Sequence, residues 1–150
     1  MQINDIEIIT KVLQTAISPV VMISGIGLLV LSMTNRFART TDRARSLAEK
    51  IKNADRETAE HLRIQVKILY KRSRILLYSI SSALNSVFLI SLLIIALFIS
   101  FISAVNLHYI IIALFVFSLI FLVISMALFI YDMTLSLKAV EEELSPILKK

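Results

Sequence analysis

The sequence has no cysteine and contains only two glycines and two prolines among 150 residues. Without cysteine, disulfide bonds and thiolate metal sites are excluded. The sequence also does not indicate whether the protein resides in an oxidising or a reducing compartment. Neither glycine nor proline occurs between Gly27 and Pro146, so the strongest helix breakers are missing from most of the chain. Long continuous helices are therefore predicted.

Charge is also missing over a long stretch. No Asp, Glu, Lys or Arg occurs from Ile75 to Tyr131, and a second apolar run extends from Val12 to Met33. Because a hydrocarbon core about 30 Å thick takes about 20 helical residues, the longer stretch suits two spans and the shorter run suits one. The 57% hydrophobic content and the mean hydropathy of +0.83 are typical of an integral membrane protein.

The predicted fold is an all-α membrane protein with three transmembrane helices in a single membrane domain, residues 1–150. The spans are expected at about 12–34, 75–104 and 107–131, with a tail at 132–150. Residues 35–74, called the basic segment below, are too short and too charged for a core of their own. They are predicted to form a helical hairpin that extends spans 1 and 2, with a break at residues 53–55 and Asp55 as a helix cap.

The basic residues predict an orientation. Twelve of the 16 Lys and Arg residues lie in the basic segment. Short loops rich in Lys and Arg stay in the cytoplasm. The basic segment and the C-terminal tail are therefore expected to be cytoplasmic, and the N-terminus and the turn at residues 106–109, which has no Lys or Arg, are expected outside.

Small and polar residues form a line along the first helix. At 100° per residue they fall within a sector of roughly 60°. In a ring of several copies this face would line a pore above a basic vestibule. Alternatively, the small residues pack against another helix, and the arginines set the orientation and attract anionic lipid. The pore-lining candidates are Gln14, Ser18, Gly25, Leu29, Ser32, Arg36, Arg39 and Arg43, with Leu29 as an apolar ring at the edge.

Polar residues in the other two spans are predicted to mediate helix packing, because an amide or hydroxyl at membrane depth needs a hydrogen-bond partner in the bundle or in a neighbouring copy. Asp132 continues a seven-residue repeat to the membrane interface, where a head-group position or pairing with Arg36 or Arg72 is favoured over ion coordination. The packing candidates are Asn85, Ser82, Ser86, Ser118 and Ser125.

No pattern in the sequence points to catalysis. There is no glycine-rich phosphate loop, no pair of buried carboxylates and no nucleophile with an evident base. We therefore expect neither enzyme activity nor a cofactor or metal site. His61 and His108 are expected to be surface side chains, and the pI near 9.7 follows from membrane topology rather than from nucleic-acid binding.

The string NRxxRxxDRxRxL that begins at Asn35, together with Ile17-Ser18-Pro19 and the stretch ISGIGLL from Ile23, resembles domain-of-unknown-function family 2721. This family consists of uncharacterised small three-span bacterial membrane proteins. The resemblance implies a bacterial membrane location and the three-span plan, but brings no activity or cofactor. Within the string, Asp42 is placed to pair along the helix with Arg39 and Arg45, which would leave Arg36 and Arg43 free.

The leading hypothesis is a homo-oligomeric, multi-pass protein of the bacterial inner (cytoplasmic) membrane that conducts ions. Its expected partners are further copies of itself, anionic lipids and inorganic ions. The alternative is a non-conducting membrane scaffold or regulatory subunit whose basic segment binds anionic lipid or a cytosolic partner.

Overall fold

The computed structural model describes the backbone of residues 2–102 and 106–148, and the side chains of Thr10 and residues 13–102 and 106–137. Within these residues the chain is all-helical, with α1 at Gln2–Ile51, α2 at Arg56–Ile102 and α3 at His108–Leu148. Each helix is long and apolar enough to cross a membrane, with mean hydropathies of 2.1, 2.6 and 3.0 in their most apolar parts. The prediction of an all-helical chain with three apolar helices is confirmed.

The break between α1 and α2 lies where the sequence predicted it. α1 closes with a tighter turn in which the Lys52 amide donates to the Glu49 carbonyl over 3.2 Å. Asp55 then caps α2, because its Oδ2 accepts a hydrogen bond from the Thr58 amide at 3.4 Å. The hydrogen bonds from Thr58 lower the pKa of the Asp55 carboxyl below its ordinary value.

α3 begins at its predicted position and extends beyond the predicted third span. The Asn106 side-chain oxygen accepts a hydrogen bond from the His108 amide at 3.3 Å at the start of the helix. α3 then continues past Tyr131 to Leu148 without a break. The predicted end of span 2 at Ala104 and the side chains of the acidic tail lie outside the described residues.

The chain divides into two compact units. The first unit comprises residues 1–30 and 82–123, and the second comprises residues 31–81 and 124–150. In the first unit, all three helices contribute to one apolar cluster, with Ile26 from α1, Ala83 and Ile90 from α2, and Leu122 from α3. In the second unit, Met33 and Leu76 are almost completely buried, together with polar side chains.

Candidate functional site

A group of three charges around one buried carboxylate lies in the second unit, with one residue from each helix. Asp132 of α3 is completely buried, and its Oδ2 lies 3.2 Å from Arg36 Nη2 of α1. Its other oxygen, Oδ1, accepts a hydrogen bond from Arg72 Nε of α2 at 3.1 Å. The Arg36 guanidinium also lies 5.6 Å from the centre of the Phe129 ring. One carboxylate thus holds two guanidinium groups, and the group has a net charge of +1.

The contacts of Asp132 test two predictions from the sequence, one about its own partner and one about Arg36. Pairing of Asp132 with Arg36 or Arg72 is confirmed, and both arginines take part. The expectation that Arg36 stays free is wrong, because its side chain is only 28% exposed and is bound to Asp132. Asp42 pairs with Arg45 at 4.0 Å as predicted, but this pair is well exposed.

Seven residues after Arg72 on α2, Ser79 forms a second buried polar contact in the same unit. Its hydroxyl donates to the Ser125 carbonyl at 2.7 Å, and the Ser125 hydroxyl donates back to the Ser79 carbonyl at 2.8 Å. The sulfur of Met33 lies 3.4 Å from the Ser79 hydroxyl. These reciprocal bonds fix the relative register of α2 and α3 in a region that offers no water.

In the first unit, serines of α2 again bond to the backbone of α3. Ser86 donates to the Ser118 carbonyl and Ser82 donates to the Phe121 carbonyl, each at 2.8 Å. Ser118 donates to the Phe115 carbonyl of its own helix at 2.7 Å. The structure therefore places Ser82, Ser86 and Ser118 at a helix contact, as it does Ser125 in the second unit.

Asn85 does not join these contacts. Its side chain is exposed, and it makes no hydrogen bond to any other described residue. Next to it on α2, Leu84 and Phe88 are 54% and 61% exposed. An amide at membrane depth needs a hydrogen-bond partner, and the described residues of this chain do not supply one for Asn85.

The polar line on α1 is mostly exposed. Leu29 and Arg36 are half-buried, whereas the remaining candidates, Gln14, Ser18, Gly25, Ser32, Arg39 and Arg43, are exposed. A Cβ added at Gly25 would meet no atom of the described chain within 4 Å. Gly25 therefore does not serve as a close contact with α2 or α3. Val21 is 64% exposed and falls in the same sector, which adds an apolar position to the line.

Ser79 was not among the packing residues predicted from the sequence, although the sequence contains a signal for it. Arg72, Ser79 and Ser86 recur every seven residues on α2, matching the repeat of Ser118, Ser125 and Asp132 on α3. Two such repeats on antiparallel helices bring polar groups opposite one another at regular intervals. Among the described residues, no group of three or more His, Cys, Asp or Glu side chains is placed to hold a metal ion.

The fold and the buried polar contacts define a three-helix, multi-pass membrane protein. The chain belongs to the family described as "Protein of unknown function (DUF2721)", whose family model matches residues 16–142. The resemblance seen in the Asn35 string is thereby confirmed. Comparisons with curated proteins and with solved structures give no match.

Proposed function

We propose that this protein is a homo-oligomeric ion channel of a bacterial inner membrane, in which the polar face of α1 borders the ion pathway. The basic segment and the C-terminus lie in the cytoplasm and the N-terminus lies outside. The observation that carries the proposal is the exposure of Ser18, Gly25 and Ser32 on the outer surface of an apolar helix. The contacts of the chain itself do not account for these positions.

Exposure matters because a bilayer offers hydroxyl groups no partner. Polar side chains on membrane helices are usually buried against other helices or face a water-filled cavity. The open space at Gly25 argues against the first arrangement within one chain. Three spans enclose little polar volume alone, so a water-filled path requires several copies with α1 innermost.

The charges near the cytoplasmic end favour anions. Arg39 and Arg43 are exposed, whereas Arg36 is half-buried. A ring of exposed arginines concentrates anions at the mouth of a pore and repels cations. Arg39 and Arg43, rather than Arg36, are therefore assigned to the vestibule.

Conductance measurements on purified protein in planar bilayers test the proposal. Gly25→Leu introduces a large side chain on the polar face and is expected to reduce the single-channel conductance at least several-fold. Gly27→Leu is the matched control, since Gly27 is also exposed with no atom within 4 Å of an added Cβ. It lies about 200° around the helix from Gly25 and should leave conductance unchanged.

A reconstituted oligomer with no current above that of the empty bilayer would contradict conduction. An equal effect of both glycine substitutions on the current would instead contradict the placement of the Gly25 face of α1 along the ion pathway. In the first case the alternative scaffold function would stand. If conduction is found, Arg39→Gln combined with Arg43→Gln should shift the reversal potential in a salt gradient toward cation selectivity.

A further inference from the structure

The outer side of α2 in the second unit has a groove that the proposed channel does not use. It has a volume of about 650 Å³ and is lined by one stretch of the helix, which extends across the start of the uncharged run at Ile75. Its walls combine three basic side chains, two tyrosines and three isoleucines, and none of these lining residues is acidic. The lining residues are Ile64, Lys67, Ile68, Tyr70, Lys71, Arg74, Ile75 and Tyr78.

The groove is open to its surroundings. Ile64 and Ile68 are 57% and 44% exposed, and Tyr70 and Tyr78 are 62% and 54% exposed. Lysine, arginine and tyrosine beside exposed aliphatic side chains form the pattern found where a helix leaves the bilayer. The apolar part suits acyl carbons, and the ammonium and guanidinium groups suit a phosphate.

Arg74 is already positioned within this groove. Its Nη2 donates a hydrogen bond to the Tyr78 hydroxyl at 2.9 Å, and its guanidinium carbon lies 5.7 Å from the centre of the Tyr78 ring. A guanidinium held in this way keeps donors available for a phosphate in a fixed geometry. Lys71 and Lys67 lie three and seven residues before Arg74, so all three share one side of α2.

We propose that this groove binds the head group of an anionic phospholipid, with its phosphate among Lys67, Lys71 and Arg74. The acyl carbons nearest the lipid head group lie against Ile75 and Tyr78. Charge complementarity and continuity with the apolar part of α2 favour a lipid over an acidic cytosolic protein, which would have no use for the exposed isoleucines beside the bilayer. The site does not depend on ion conduction.

The chain contains no tryptophan, so a single introduced tryptophan reports on its own surroundings. Tyr78→Trp places the probe in the groove and retains the aromatic ring beside Arg74. Phe117→Trp is the reference position, since Phe117 is 56% exposed on α3 in the first unit. The full chain is reconstituted in phosphatidylcholine vesicles containing either brominated phosphatidylglycerol or brominated phosphatidylcholine, and tryptophan quenching is measured for each lipid.

At Tyr78→Trp, the relative binding constant for phosphatidylglycerol over phosphatidylcholine should be about fivefold or more, since one basic side chain near an anionic head group contributes about that factor. At Phe117→Trp the two lipids should quench equally. Replacing Lys67, Lys71 and Arg74 by Gln in the Tyr78→Trp chain should bring the ratio close to one. The matched variant Lys50→Gln/Lys52→Gln/Arg56→Gln, which removes three exposed charges elsewhere, should preserve the preference.

Four outcomes would overturn the proposal. Three of them are equal quenching by both lipids at Tyr78→Trp, a preference of the same size at Phe117→Trp, and a preference that survives loss of the groove charges. The fourth is an equal fall of the ratio in the two triple variants, because the lipid would then respond to overall charge and the groove would not be a site. Inorganic phosphate added to vesicles that contain brominated phosphatidylglycerol should not displace the lipid and should leave quenching at Tyr78→Trp unchanged, which separates a lipid from a free anion.

Discussion

At the scale of single residues, Asp132 stands out because a fully buried carboxylate holds guanidinium groups from both other helices. The net contribution of such a group to folding is small, since desolvation offsets much of the attraction. Removal of one partner is different, because it leaves uncompensated charge in a buried place. The group therefore makes the packing of the three helices in the second unit depend on one side chain.

Asp132→Asn should destabilise the protein strongly. Breaking a buried pair typically costs about 3–5 kcal/mol, and we expect about 3 kcal/mol here because the Arg36 side chain is 28% exposed and partly solvated. Thermal unfolding in detergent, followed by circular dichroism, measures the change. Asp42→Asn is the control, since that carboxylate is 74% exposed and lies 4.0 Å from Arg45, and it should leave the unfolding temperature unchanged.

A double substitution separates charge pairing from general damage. With Arg72→Gln added, Asp132→Asn should be less harmful than the sum of the two single changes, because only one guanidinium then lacks its carboxylate. If Asp132→Asn matched the wild type in stability, or the two changes were fully additive, Asp132 would not hold the helices together.

At the scale of the helices, the structure shows which sequence signals were sufficient. The absence of glycine and proline between Gly27 and Pro146 was enough to predict long helices, and residues 53–55 were enough to predict the break. The contact between Ser79 and Ser125 was not predicted, because it depends on the rotation of α2 against α3. Serine is common in membrane helices, and its presence alone does not indicate which face is buried.

Asn85 shows a second limit of prediction from the sequence. Its position inside the second span led to the prediction that it mediates helix packing, but not to the finding that it lies on the outer surface of its own chain. The hydrophobicity of a membrane helix is nearly uniform around its circumference, so the sequence does not distinguish the inner face from the outer face. The same reason explains why the openness around Gly25 could not be foreseen.

Asn85→Leu should weaken the oligomer while leaving each chain folded. An amide hydrogen bond between membrane helices contributes about 0.6–1.7 kcal/mol, so the association constant is expected to fall about 3- to 20-fold per contact. Native mass spectrometry over a range of detergent-to-protein ratios measures the oligomer fraction. Asn85→Gln keeps the amide and should retain most of the association, and an oligomer unaffected by Asn85→Leu would remove this residue from the interface.

At the scale of the whole molecule, most of the apolar surface remains uncovered by the chain. Only 11–22% of the most apolar stretch of each helix is buried. A soluble protein would not tolerate this, whereas a membrane protein exposes it to lipid or to further copies. The uncovered surface also includes the polar face of α1, which in the proposed channel borders water rather than lipid.

Cysteine accessibility distinguishes water from lipid at this face, because the chain has no cysteine of its own and each introduced thiol reports on one position. In vesicles, a membrane-impermeant anionic thiosulfonate, whose charge the proposed anion pathway admits, reacts with thiols in contact with water and not with those in lipid. Ser18→Cys, Gly25→Cys and Ser32→Cys are predicted to react, and Val21→Cys should react as well because it shares their sector although valine is apolar.

Cysteines at Val20, Gly27 and Leu31 are the controls, since these positions are also exposed on the chain but point away from that sector. They are predicted to stay unmodified under the same conditions. If the polar face of α1 borders water, the reactive cysteines will be confined to one sector of the helix, and their modification will reduce the current. Uniformly unreactive cysteines, or equal reactivity around the helix, would contradict it.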